Sequence, residues 1–112
     1  MQGLFLRRAA EEPVQTCTIT ITADGYATSS YLVINGEKVT AVGTYEVPVG
    51  TAIVCSVKGY GSNSEKKITI NGKTVYSGTG TTRYNYTYTV VNNIVVEMVH
   101  SGSFSEVHIT EE

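Results

Sequence analysis

Apolar and polar side chains alternate along most of this chain with a period near two, the spacing of strands that bury one face. The pattern is plainest over Thr16–Ala23, where Cys17, Ile19, Ile21 and Ala23 share one face and Thr16, Thr18, Thr20 and Thr22 the other. Asp24-Gly25 reads as a turn, residues 31–34 as the next strand, and Asn35-Gly36 as a tight hairpin turn. Residues 38–42 and 44–49 follow as short strands divided by Gly43. Pro48 has no amide to give a ladder, which assigns its strand to a sheet edge or its position to a strand end. Residues 52–58 place Ile53, Cys55 and Val57 on one face ahead of a soft loop, Gly59 to Ser64. A second Asn-Gly turn, Asn71-Gly72, joins strands at 67–70 and 73–77. Beyond a Gly/Thr loop come strands at 83–91, 94–100 and 104–110, with a turn at Asn92-Asn93. The reading is about nine short strands and no helix, an all-β chain.

Residues 1–13 depart from this pattern. They hold four of the eighteen Lys, Arg, Asp and Glu residues and almost no strand formers. Leu4, Phe5 and Leu6 make an apolar triplet, followed by Arg7 and Arg8, and Pro13 marks a break. Two readings stand: a frayed terminus, or an arm that orders against a partner with the triplet as its plug. The division expected is an arm at 1–13 and a single domain at 14–112.

Composition narrows the function classes. At 112 residues the chain is one domain. Charged residues make up only 16%, with Thr, Ser, Gly, Val and Tyr in their place, which suits pleated surfaces and tight turns. A net charge of −2 and scattered Lys and Arg argue against nucleic acid, whose phosphates demand a clustered basic face. No apolar run approaches a membrane span, and the terminus lacks the order of a signal peptide, so no membrane association is expected. Cys17 and Cys55 are too few for a disulfide scaffold; both fall on the apolar face, where they read as buried free thiols or as one disulfide across a sandwich if their Cα atoms come within about 7 Å.

A faint repeat runs through the strands. Gly25-Tyr26 with Ile34-Asn35-Gly36 is echoed by Gly59-Tyr60 with Ile70-Asn71-Gly72, and residues 97–110 echo both. The spacing is not a fixed period, so hairpins reused within one sandwich are expected rather than a solenoid.

The segment Tyr45-Glu46-Val47-Pro48-Val49-Gly50-Thr51, running into Ala52-Ile53-Val54-Cys55-Ser56-Val57 and then Gly59-Tyr60, resembles bacterial and bacteriophage immunoglobulin-like modules of the PEGA and Big-like kind. The later order, Tyr84 to Val91, Asn92-Asn93, then Ile94 to Met98, is similar to them as well. The resemblance covers roughly residues 16–110 and implies an immunoglobulin-like β-sandwich, though without the Trp and the Cys-Trp-Cys arrangement of antibody domains. Modules of this kind resemble virion structural proteins of tailed phages, such as capsid decoration, head-fibre or tail-surface proteins.

Groups that could carry chemistry are sparse. His100 and His108 sit in the last hairpin; folded about Gly102 they share a face but lie too far apart for a shared metal, and they read as surface histidines. Asp24 reads as a turn residue. Glu11-Glu12 and Glu111-Glu112 lie at the tails, the wrong place for paired acids across a cleft. Gly78-Thr79-Gly80 has no following Lys or helix and is no phosphate loop. The expectation is therefore no enzyme, no cofactor and no metal. Tyr84, Tyr86 and Tyr88 line one face of their strand, either at the core margin or as a surface strip.

What the resemblance implies is a non-enzymatic structural protein of a tailed-phage virion, assembled in the host cytoplasm. Its partner would be a capsid or tail protein of the same particle, most simply in capsid decoration as a homo-oligomer. Leu4, Phe5, Leu6, Arg7 and Arg8 would dock on the shell. The alternative is an adhesin-like or carbohydrate-binding module, with Tyr60, Tyr84, Tyr86 and Tyr88 as stacking platforms for a host-surface glycan. A third option, an accessory domain of an enzyme, requires a catalytic partner that the chain does not show.

Overall fold

The computed structural model describes residues 15–23, 29–101 and 104–112. Among them there is no helix; ten strands form two sheets. In chain order they are β1 (Thr16–Ala23), β2 (Ser30–Ile34), β3 (Glu37–Val39), β4 (Gly43–Pro48), β5 (Thr51–Val57), β6 (Glu65–Ile70), β7 (Lys73–Thr79), β8 (Tyr84–Val90), β9 (Ile94–Ser101) and β10 (Phe104–Glu111). One sheet runs β4-β1-β9-β10-β6-β7 and the other β3-β2-β5-β8. Their inner faces supply the core: Ile19, Ile21, Val96, Met98, Ile68 and Val107 from the larger sheet meet Leu32, Ile53, Val57 and Val90 from the smaller. Each such side chain removed from water contributes about 1.5–3 kcal/mol, and both sheets need the partner layer to bury theirs.

Alternation explains β1: its threonines, Thr16, Thr18, Thr20 and Thr22, stay on the outer face while Cys17, Ile19 and Ile21 are buried. Pro48 closes β4, an edge strand, so its missing amide costs no ladder bond. The expected strand at 38–42 is shorter than its pattern, because β3 ends at Val39 and pairs only with residues 32–34 of β2. Both Asn-Gly pairs are positive-φ turns, Asn35 at 53° and Gly36 at 82°, Asn71 at 54° and Gly72 at 80°, the geometry that matches strand twist in a two-residue hairpin.

The sequence echo is a duplication of architecture. β1 to β4 place their outer pair in the larger sheet and their β2–β3 hairpin in the smaller, while β5 to β8 do the reverse. The registers agree position by position. Cys17, Ile19 and Ile21 face Val47, Tyr45 and Gly43; Ile53, Cys55 and Val57 face Tyr88, Tyr86 and Tyr84. Leu32 faces Val39, and Ile68 faces Tyr76. The two units meet at Val49-Gly50, where Val49 donates to Gln15 O at 2.9 Å and Gly50 to Val90 O at 2.7 Å. In the smaller sheet the units join directly through antiparallel β2 and β5. In the larger sheet the β9–β10 hairpin stands between them, parallel to β1 on one side and to β6 on the other.

Candidate interaction site

The duplication makes the two lateral edges of the sandwich comparable. On one edge β7 lies beside β8, and the rings of Tyr76 and Tyr84 stack with centroids 3.6 Å apart and planes 2° from parallel. Tyr76 reaches the inner face because a bulge at Ile68/Thr69 adds one residue to β7 and turns the strand. On the other edge, β3 beside β4, the matching positions are Val39 and Gly43. Neither can close the gap between the sheets. A cleft of about 280 Å³ remains, lined by Ile34, Asn35, Glu37, Val39, Tyr45 and Glu46.

Register explains how each lining side chain gets there. Glu37 lies opposite Ile34 and Val39 opposite Leu32, so both share the inner face of the smaller sheet at its edge. Tyr45 alternates with Val47 on the inner face of β4, leans over Gly43, and donates its hydroxyl to Ala41 O at 3.1 Å. Glu46 stands exposed at the rim. Lys38, the lysine of β3, turns to the opposite face, its ammonium 4.6 Å from the centroid of the Tyr31 ring. The cleft therefore combines an apolar floor with two carboxylates, a volume below the ~300–1,000 Å³ of drug-sized ligand sites and suited to one or two side chains.

The sequence-derived candidates fall elsewhere. Leu4, Phe5, Leu6, Arg7 and Arg8 lie outside the described residues. Tyr84, Tyr86 and Tyr88 turn to the inner face with Val90: Tyr88 is 8% exposed, and Tyr84 and Tyr86 are half-buried against the core. The Tyr88 hydroxyl donates to Glu111, whose carboxylate also accepts from Asn71 Nδ2 at 2.9 Å. Burial first, and then the pairing with Glu111, push the Tyr88 phenol above its ordinary range, and the hydrogen bonds from Tyr88 first and Asn71 second hold Glu111 below the usual carboxylate value. Tyr60, 52% exposed in the β5–β6 loop, is the one of the four with an open ring.

His100 and His108 do not share a face. The hairpin pairs Ser101 with Phe104, so its centre falls between residues rather than on Gly102, and this half-residue shift sends the two rings to opposite faces. His108 sits beside Thr69 on β6, with Nδ1 2.6 Å from Thr69 Oγ1 and Nε2 2.8 Å from Glu106 Oε1. A hydroxyl, an imidazole and a carboxylate in sequence have the composition of a nucleophile-activating relay. Thr69 is only 7% exposed, however, on a flat sheet face, and the network reads as cross-strand support. Cys17 and Cys55 are buried free thiols, the latter pushed up to about 12 by desolvation. Among the described residues no group of three His, Cys, Asp or Glu could hold a metal ion.

No family model, no curated protein and no solved structure matches this chain.

Proposed function

We propose that this is a non-enzymatic structural protein of a tailed-phage virion, an immunoglobulin-like sandwich that decorates or stabilises the particle through its arm and through contacts between subunits. The observation that carries the reading is how the chemistry-bearing side chains are spent inside the fold. Arg83 donates to Ser29 O at 3.3 Å and Ser56 Oγ at 3.0 Å, Lys66 to Thr82 O, His108 engages Thr69 and Glu106, and Tyr88 engages Glu111. Such bonds rigidify a scaffold and leave its faces for contact. The sugar-binding alternative loses most of its platform, since three of its four tyrosines face inward.

The test is incorporation into particles. Phage produced with the tagged full chain should carry it at a regular copy number after gradient purification. A chain lacking residues 1–13 should keep its β-sheet circular dichroism and drop off the particle. A protein absent from particles that binds a glycan array through Tyr60, and loses that binding in Tyr60→Ala, would overturn the proposal in favour of the alternative.

A further inference from the structure

We infer that the cleft between β3 and β4 receives the N-terminal arm of a neighbouring copy, with Phe5 seated on Tyr45 and Val39 and with Arg7 and Arg8 against Glu37 and Glu46. This deepens the reading of the arm as a docking element by naming where it docks: on a second copy of the same chain.

Three observations converge. The cleft is open where the opposite edge is closed by two stacked tyrosines, so an aromatic ring is the shape that is missing. Its charged groups are carboxylates, Glu37 and Glu46, both exposed, while the lysine of β3 faces the other way. The arm carries the complement in the right order: Phe5 within an apolar triplet, then two arginines whose forks suit carboxylates.

The chain direction selects a neighbour. Thr16 lies opposite Pro48 and Ile19 opposite Tyr45, so Gln15 stands at the Pro48 end of β4, beyond Tyr45 and Glu46 of its own cleft. Pro13 favours an extended course there rather than a reversal. Phe5 is ten residues from Gln15, an extended reach of about 33 Å, enough to cross to an adjacent sandwich. Exchange of arms around a ring or lattice gives every copy one arm out and one cleft filled.

The experiment is sedimentation equilibrium of the full chain, with variants on both sides of the contact. Wild type should self-associate. Arg7→Glu/Arg8→Glu, Glu37→Arg/Glu46→Arg and the cleft-filling Val39→Tyr should each weaken association by about tenfold or more, the scale of a lost charge-assisted contact. Combining the two charge reversals should restore it, which general damage to the fold would not do. A photo-crosslinker at Phe5 should join two chains through β3 or β4. A monomer at every soluble concentration, association untouched by the variants, or a crosslink confined within one chain would each overturn the inference. The virion reading is separable: a monomer that still loads onto particles sinks arm exchange alone, and an exchanging oligomer absent from particles sinks the virion reading alone.

Discussion

Single side chains at the end of the sandwich tie stability to pH. Tyr88 and Glu111 are coupled through one hydrogen bond, and its two partners titrate at opposite ends of the scale. Glu111 has a folded-state value below its ordinary 4.5, so its contribution is complete above that pH and disappears as pH falls through the lowered value. Tyr88 has a value raised above its ordinary 10.0, so its contribution is complete below pH 10 and fades as pH rises beyond it. Tyr88→Phe should therefore lower the unfolding midpoint at neutral pH and flatten its dependence at both extremes, measured by denaturant titration across pH. The thiols give a second residue-scale expectation. Cys17 and Cys55 are 4% and 0% exposed, and Cys55 has its thiolate suppressed by burial. Both should react with a thiol reagent only as fast as the domain opens, so a rapid reaction in native buffer would contradict their placement.

At the scale of elements the two Asn-Gly turns set the hairpins, and they can be tested separately from packing. A Cβ on Gly36 or Gly72 would meet nothing within 4 Å, so substitution by Ala carries only the strain of a positive φ. Each should cost about 1–2 kcal/mol in equilibrium unfolding. Gly59→Ala should cost more, since its Cβ would stand 2.7 Å from Gly80 O and 2.8 Å from Ser64 Cβ, at the point where Gly59 donates to Gly80 O. These turns were legible in the sequence because Asn-Gly has a strict backbone meaning, and β1 was legible because period-two alternation ran unbroken for eight residues. The cleft was not legible. It depends on which edges lie side by side and on a bulge that turns Tyr76 inward, and a local pattern encodes neither. The tyrosine ladder left core and surface open for a related reason: period two shows that three rings share a face, while only the partner sheet decides which face is covered.

For the whole molecule, the architecture is two four-strand units closed by a hairpin, and the question is whether the closure is needed. In the smaller sheet β2 and β5 join the units without help, so a direct pairing of β1 with β6 is the symmetric possibility. The hairpin instead contributes Ile94, Val96, Met98, Val107 and Ile109 to the core, all at most 1% exposed. At about 1.5–3 kcal/mol each, their burial amounts to roughly 8–15 kcal/mol, as large as the entire stability of a typical domain. A direct β1–β6 contact would narrow the larger sheet to four strands and leave Ile19, Ile21 and Ile68 without these neighbours. Residues 1–93 alone should therefore be unfolded, with no cooperative thermal transition in circular dichroism. Adding a peptide of residues 94–112 should restore the transition, because it supplies the missing strands and their core side chains together. A cooperative fold of residues 1–93 by itself would mean that β1 and β6 pair as β2 and β5 do, and that the hairpin is an addition to a sandwich already complete.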